Sequence, residues 1–112
     1  MSVALRKSDY FNTDFDLQYR WYLREGGEDV AEGYLRAVLA TLNELTQHPG
    51  LGREREFRNK LLKGLRSMRV QPPYNRHLIF YRYTETELLA ERVMHGMRDL
   101  PRRLRHPPTE KE

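Results

Sequence analysis

Cysteine is absent from the 112 residues, and that one absence removes disulfides, Cys-ligated zinc and thiol nucleophiles together. Long apolar runs are missing too. The longest stretch without a charged side chain is Leu45 to Gly52, far below the ~20 residues that span a bilayer, so no membrane partner is expected. The opening Met1-Ser2-Val3-Ala4-Leu5-Arg6-Lys7 lacks the apolar core of a signal peptide. Gly50-Leu51-Gly52 is not followed by the Gly and Lys of a phosphate loop. His48, His77, His95 and His106 are scattered, with no His-x-x-x-His pair, so neither a metal nor a cofactor is expected. No Ser lies in a nucleophile elbow, and the basic stretch holds too few carboxylates for a two-carboxylate hydrolase. These absences point to a small soluble domain of the cytoplasm.

What remains is enough for one core. Hydrophobic residues make up 38% and charged residues 32%, and seven Tyr, four Phe and one Trp supply bulk. The length suits a single domain, expected over residues 1–105, with 106–112 as a frayed tail. The net charge of +4 is unevenly spread. Residues 1–52 carry five Lys/Arg against eight Asp/Glu, residues 53–76 eight against two, and residues 77–112 seven against six. A basic middle beside an acidic N-terminal half points to an acidic partner, nucleic acid or protein, or to a solvated face that keeps a small protein in solution.

Val3 to Arg6 reads as a short strand. Thr13-x-x-Asp16 has the form of a capping box, and Phe11, Phe15, Tyr19 and Tyr22 place an aromatic stripe on one helical face. Gly26-Gly27 ends this helix, and Glu28 and Asp29 open the next with negative charge at its positive end. In the second helix Val30, Tyr34, Val38, Leu42 and Leu45 follow helical spacing, flanked by Ala31, Leu35 and Leu39, until His48-Pro49-Gly50 stops it. Leu51 to Lys63 reads as a basic loop with a helical turn. Leu65 to Val70, His77 to Tyr83 and Leu88 to His95 read as three antiparallel strands, the first two joined by a turn at Pro72-Pro73-Tyr74-Asn75. Pro101 to Leu104 begins a short helix. The expected fold is α+β: an N-terminal strand, then an α-helical hairpin packed on a small antiparallel sheet, then a short C-terminal helix. The second sheet face, or its rim, is left for a partner.

Arg66, Arg69, Arg76, Arg82, Arg92 and Arg98 lie on or beside the expected strands. Arginine in such numbers can clamp phosphates or meet an acidic protein surface, although several are expected to pair with Glu85, Glu87, Glu91 and Asp99. His95, near Arg98, could act as a general base on a ribose hydroxyl or serve as a structural hydrogen-bonder. Tyr81 and Tyr83 share a side with Ile79 and read as core before stacking platforms. The candidate partner-binding residues are therefore Arg66, Arg69, Arg82, Arg92, His95 and Arg98.

The helices closing in Leu45-x-x-His48-Pro49-x-x-Gly52-Arg53, then Leu65-Arg66-Ser67, His77-Leu78-Ile79-Phe80-Tyr81-Arg82 and Arg92-Val93-Met94-His95-Gly96-Met97-Arg98-Asp99, resemble the ParE branch of the ParE/RelE toxin superfamily. The likeness runs from Val3 to Leu104. It departs where Tyr10-Phe11 stand in place of a small residue, and at Pro72-Pro73. The resemblance implies a β-α-α-β-β-β toxin of a type II toxin–antitoxin module, of the kind that stabilises plasmids. Such a toxin is held inactive by a ParD-like antitoxin, poisons DNA gyrase and meets DNA only indirectly through the antitoxin. No catalytic residues are then expected. The RelE branch instead cleaves mRNA on the ribosome with basic residues and a C-terminal Tyr or His–Tyr. This chain has no Tyr after Tyr83, so His95, Arg76 and Arg66 could build only a reduced version of that site.

Overall fold

The computed structural model describes residues 2–96 and 100–108. Strand β1 (Ala4–Lys7) leads into helix α1 (Asp9–Gly26) and helix α2 (Glu28–Gln47). A 3-10 turn at Pro49–Leu51 precedes the two-residue strand β2 (Arg53–Glu54), and a second at Lys60–Leu62 precedes β3 (Arg66–Arg69). Strands β4 (His77–Tyr83) and β5 (Glu87–His95) and helix α3 (Leu100–Arg105) complete the chain. The sheet runs β1-β5-β4-β3-β2. The neighbours from β5 to β3 are antiparallel, as the sequence leads one to expect. Strand β2, within the segment that reads as a basic loop in sequence, adds an antiparallel neighbour to β3, and β1 joins β5 in parallel, Ala4 opposite Glu87 and Lys7 opposite Ala90.

Helix α1 starts earlier than its Thr13-x-x-Asp16 pattern suggests. Ser8 is the cap, its Oγ accepting from the Phe11 amide at 3.0 Å, and Thr13 lies inside the helix. The two helices meet at Gly27, whose φ of 85° is one that glycine adopts without strain. Phe11, Phe15 and Tyr22 from α1 and Tyr34, Val38, Leu42 and Leu45 from α2 close over Val70, Ile79, Tyr81, Leu88, Ala90 and Val93 of the sheet. The flanking stripe of α2 that goes inward is Ala31, Ala37 and Thr41, whereas Leu39 is exposed.

The second sheet face is not left open. Leu78, Phe80 and Met94 are covered by Leu62 and Leu65, with Phe57, and by Leu100 and Leu104 of α3. The basic stretch expected to be a loop is thus tied down twice, by β2 and by these apolar residues. Past the end of β1, α1 takes over the exposed edge of β5. Ser8 Oγ donates to the Glu91 carbonyl at 2.7 Å, and an Asp14 carboxylate oxygen accepts from the Val93 amide at 3.1 Å. Backbone groups on a sheet edge need such partners when they are removed from water.

Candidate partner-binding surface

The six arginines and one histidine singled out in the sequence divide into groups that point inward and groups that point outward. Arg92 is the most enclosed. Its side chain is 4% exposed, and its Nε and Nη2 donate to both carboxylate oxygens of Asp14 at 2.7 and 2.9 Å. Its Nη1 donates to the carbonyls of Arg103 and His106 at 3.0 and 2.8 Å, and the guanidinium stacks on the Tyr10 ring. Arg92 is therefore a bolt between α1, β5 and the end of α3 and is not presented to a partner. Burial pushes the Asp14 carboxyl above its usual range, against the opposing pull of Arg92, the Val93 amide and Arg103.

Arg82 is also engaged within the chain. Its Nε pairs with Glu91 and its terminal nitrogens donate to the carbonyls of Leu61 and Lys63, fastening the basic segment to the sheet. Arg66 lies on the hairpin side. Its Nη1 donates to the Gly52 carbonyl at 2.8 Å, a second nitrogen is 3.9 Å from Glu54, and its guanidinium sits 5.6 Å from the Tyr83 ring. Arg69 and Arg76 are exposed, and Arg69 Nη1 donates to the Asn75 carbonyl at 2.9 Å. Arg98 lies outside the described residues.

His95 is exposed at the end of β5, opposite His77, with ring centroids 4.9 Å apart. Partial burial first, and then the charges of Arg76 and Arg103, hold its imidazole below the usual range, which favours the neutral ring. The three residues that a reduced nuclease site would need do not converge. Arg76 is close to His95, its carbonyl accepting from the Gly96 amide at 3.0 Å. Arg66, however, stands opposite Tyr81 on β3 while His95 stands opposite His77 on β5. Four residues of strand, roughly 13 Å, and two strand spacings separate them.

Three inward residues were not singled out as functional from the sequence. Asp14 could have been found from Arg92 itself: a cation between apolar Ala90 and Val93 in a buried strand demands a partner. His77 is 1% exposed, shares a 2.8 Å hydrogen bond with the Tyr22 hydroxyl and packs against Tyr34. Tyr81 explains the His48-Pro49-Gly50-Leu51-Gly52 run. Its hydroxyl donates to the Pro49 carbonyl at 2.7 Å and accepts from the Gly52 amide at 2.8 Å. A Cβ at position 52 would lie 2.4 Å from that oxygen, so the turn needs glycine there. Among the described residues no helix is long and apolar enough to cross a membrane, and no cluster of three or more metal-ligating side chains occurs.

The model of the family described as ParE toxin of type II toxin-antitoxin system, parDE, matches residues 5–100. No curated protein sequence matches the chain. Among solved structures, the chain is similar to one from the chromosomal ParDE TA system of P. aeruginosa, with 17% identity over 86% of this chain and 98% of that chain and a TM-score of 0.68. It is also similar to YafQ from E. coli strain BL21(DE3), with 19% identity over 83% and 92% and a TM-score of 0.49. A chain of the E. coli DinJ-YafQ toxin-antitoxin complex gives 17% identity over 85% and 93% and a TM-score of 0.48. The P. aeruginosa likeness is one of fold, and it agrees with the strand–hairpin–sheet order described above. With the family model running from Leu5 to Leu100, the chain belongs to the ParE toxin family of type II toxin–antitoxin systems.

Proposed function

We infer that this toxin acts on DNA gyrase, blocking replication, and that a ParD-like antitoxin neutralises it. The observation that carries the choice of target is the separation of Arg66 from His95 and Arg76, which leaves mRNA cleavage without a gathered site. The lack of any Tyr after Tyr83 supports the same choice. An antitoxin partner is supported by the family, whose members are toxins of type II toxin-antitoxin systems, and by the likeness to the chromosomal ParDE TA system of P. aeruginosa. An amphipathic antitoxin helix or strand is expected along the hairpin and the sheet edge. Arg69 and His95 remain the outward candidates for contact, while Arg66 and Arg82 offer only what their internal bonds leave.

The test is pulse labelling after tightly controlled induction in a bacterial host, following thymidine and methionine incorporation in parallel. Thymidine incorporation should fall first, and co-expression of the antitoxin should restore it. If methionine incorporation falls first, the gyrase reading is overturned and the ribosome-dependent nuclease takes its place. That second reading has one observation in its favour, the exposed His95 beside Arg76, its imidazole held below the usual range by partial burial and by the charges of Arg76 and Arg103. It requires His95→Gln to abolish toxicity, because glutamine keeps some hydrogen bonding and loses titration near neutral pH. On the gyrase reading no catalysis is lost with this change.

A further inference from the structure

Residues 53–56 read Arg-Glu-Arg-Glu, and their extended course sorts the two signs of charge onto opposite faces. Arg53 pairs with Ser67 and Glu54 with Arg66, and the Arg55 amide donates to the Leu65 carbonyl at 2.9 Å. Successive side chains of an extended chain leave on opposite sides. Glu54 accordingly reaches the hairpin side, next to Arg66. Arg53 and Arg55 share the other side with Ser67 and, two residues further along β3, with Arg69. Ser67 stands opposite Phe80, whose ring belongs to the cluster under α3, which fixes this as the face away from the helical hairpin.

The three arginines are near neighbours. Arg55 Nε donates to Ser67 Oγ at 2.7 Å and Arg69 donates to the Asn75 carbonyl, so both guanidinium groups are held in place. Burial first, and then the charges of Arg53 and Arg69, hold the Arg55 guanidinium below its usual range. Among the described residues neither Arg53 nor Arg55 takes part in an ion pair, and the same is true of Arg58, Lys60 and Lys63 on the following segment. A fold that gathers these five cations without an ion pair on any of them accepts a repulsion that an external polyanion relieves.

We propose that this face binds the phosphate backbone of duplex DNA directly, which departs from the indirect contact through an antitoxin that the family resemblance implies. Leu61 is the one well-exposed large apolar side chain between Arg53 and Arg69, so the patch lacks the buried aromatic anchors on which protein–protein interfaces depend. No exposed aromatic ring stands there either, Phe57 being packed against the core, and without stacking platforms a single strand gains little. A regular array of phosphates met by forked guanidinium groups needs neither. The choice of DNA over RNA duplex rests on the gyrase reading, since gyrase holds duplex DNA.

The test is fluorescence anisotropy of a labelled random-sequence duplex of about 20 base pairs, titrated with the full chain from about 50 to about 200 mM salt. Binding should weaken with salt, with a log–log slope of about −0.9 for each phosphate neutralised. Arg53→Gln, an exposed position, should make that slope shallower by about one unit, and Arg53→Gln with Arg55→Gln by about two. Arg24→Gln with Arg36→Gln removes the same charge from the hairpin and should leave the slope unchanged. Equal effects of the two double variants would overturn the proposal. So would absence of binding at the lowest salt, or tighter binding of an RNA duplex or of polyglutamate than of DNA. No gyrase is present, so the two readings fail separately. DNA binding without arrest of DNA synthesis in cells disposes of the gyrase reading, and arrest without DNA binding disposes of this one.

Discussion

His77 is enclosed by Tyr22 and Tyr34 on the hairpin side and by His95 along the sheet, and acid acts on the fold through it. Burial first, and then the charge of His95, push its imidazole down to about 4. The unfolded chain binds that proton near pH 6.5. Because the folded value is the lower one, the stability is fully present above about pH 6.5 and is lost as the pH falls toward 4. The span corresponds to a loss on the order of 3 kcal/mol. Urea midpoints measured from pH 7.5 down to pH 4 should fall steeply in the native chain and less in His77→Gln. Comparing the two separates His77 from Asp14, whose raised carboxyl works in the opposite sense. No feature of the sequence marks His77 out from the other three histidines, since it opens a strand whose apolar residues alone account for the strand's formation. Only the fold places the aromatic stripe of α1 over it.

The turn between α2 and β2 is an element whose shape is dictated from below. Gly52→Ala would bring its Cβ to 2.4 Å from the Tyr81 hydroxyl and 2.9 Å from the Ser67 carbonyl, so the turn or Tyr81 must shift. The expected cost is about 1–3 kcal/mol, read as a lowered thermal midpoint. Tyr81→Phe, which removes two hydrogen bonds to the same turn, should cost about as much, and the two changes together less than their sum. The elements themselves were largely legible in the sequence. His77 to Tyr83 is the observed β4 without adjustment, and the Gly26-Gly27 hinge and the Pro49 stop fall where the chain turns. What stayed hidden depended on partners far along the chain. Leu39 and Thr41 are equally compatible with helical spacing, and only the sheet beneath α2 buries Thr41 and exposes Leu39. The pairing of residues 53–54 with β3 was hidden by the charge of that segment, because two residues carry no apolar alternation to read. Of the candidate surface, residue types were legible but orientation was not. Arg92 and Arg69 look alike in sequence, yet one is enclosed and the other faces water.

At the scale of the whole molecule, Asp14 and Arg92 join hairpin, sheet and C-terminal helix in one buried contact. Removing one partner of such a pair leaves the other charge without compensation, at a cost of about 3–5 kcal/mol. Arg92→Met should destabilise the chain by that order in urea unfolding, and the α3 amides should lose hydrogen-exchange protection together with it. Asp14→Leu combined with Arg92→Met should be milder than Arg92→Met alone, since burial already outweighs the pull of Arg92 on the Asp14 carboxyl. A double variant no more stable than the single one would mean that the Val93 edge bond is worth more than the charge. The contact also accounts for the reach of the C-terminal segment: His106, expected in a frayed tail, gives its carbonyl to Arg92.

The parallel pairing of β1 with β5 sets a clock on the protein's birth. Ala4 emerges from the ribosome well before its ladder partner Glu87, which is 83 residues further on. At ordinary translation speeds that interval is roughly 4–17 s. Throughout it the first strand has no sheet to join and the cover over Leu88 and Ala90 cannot close. The sheet can therefore be completed only once β5 has been made, and a translation product cut short before β5 is harmless to the cell that made it insofar as toxicity needs the whole sheet.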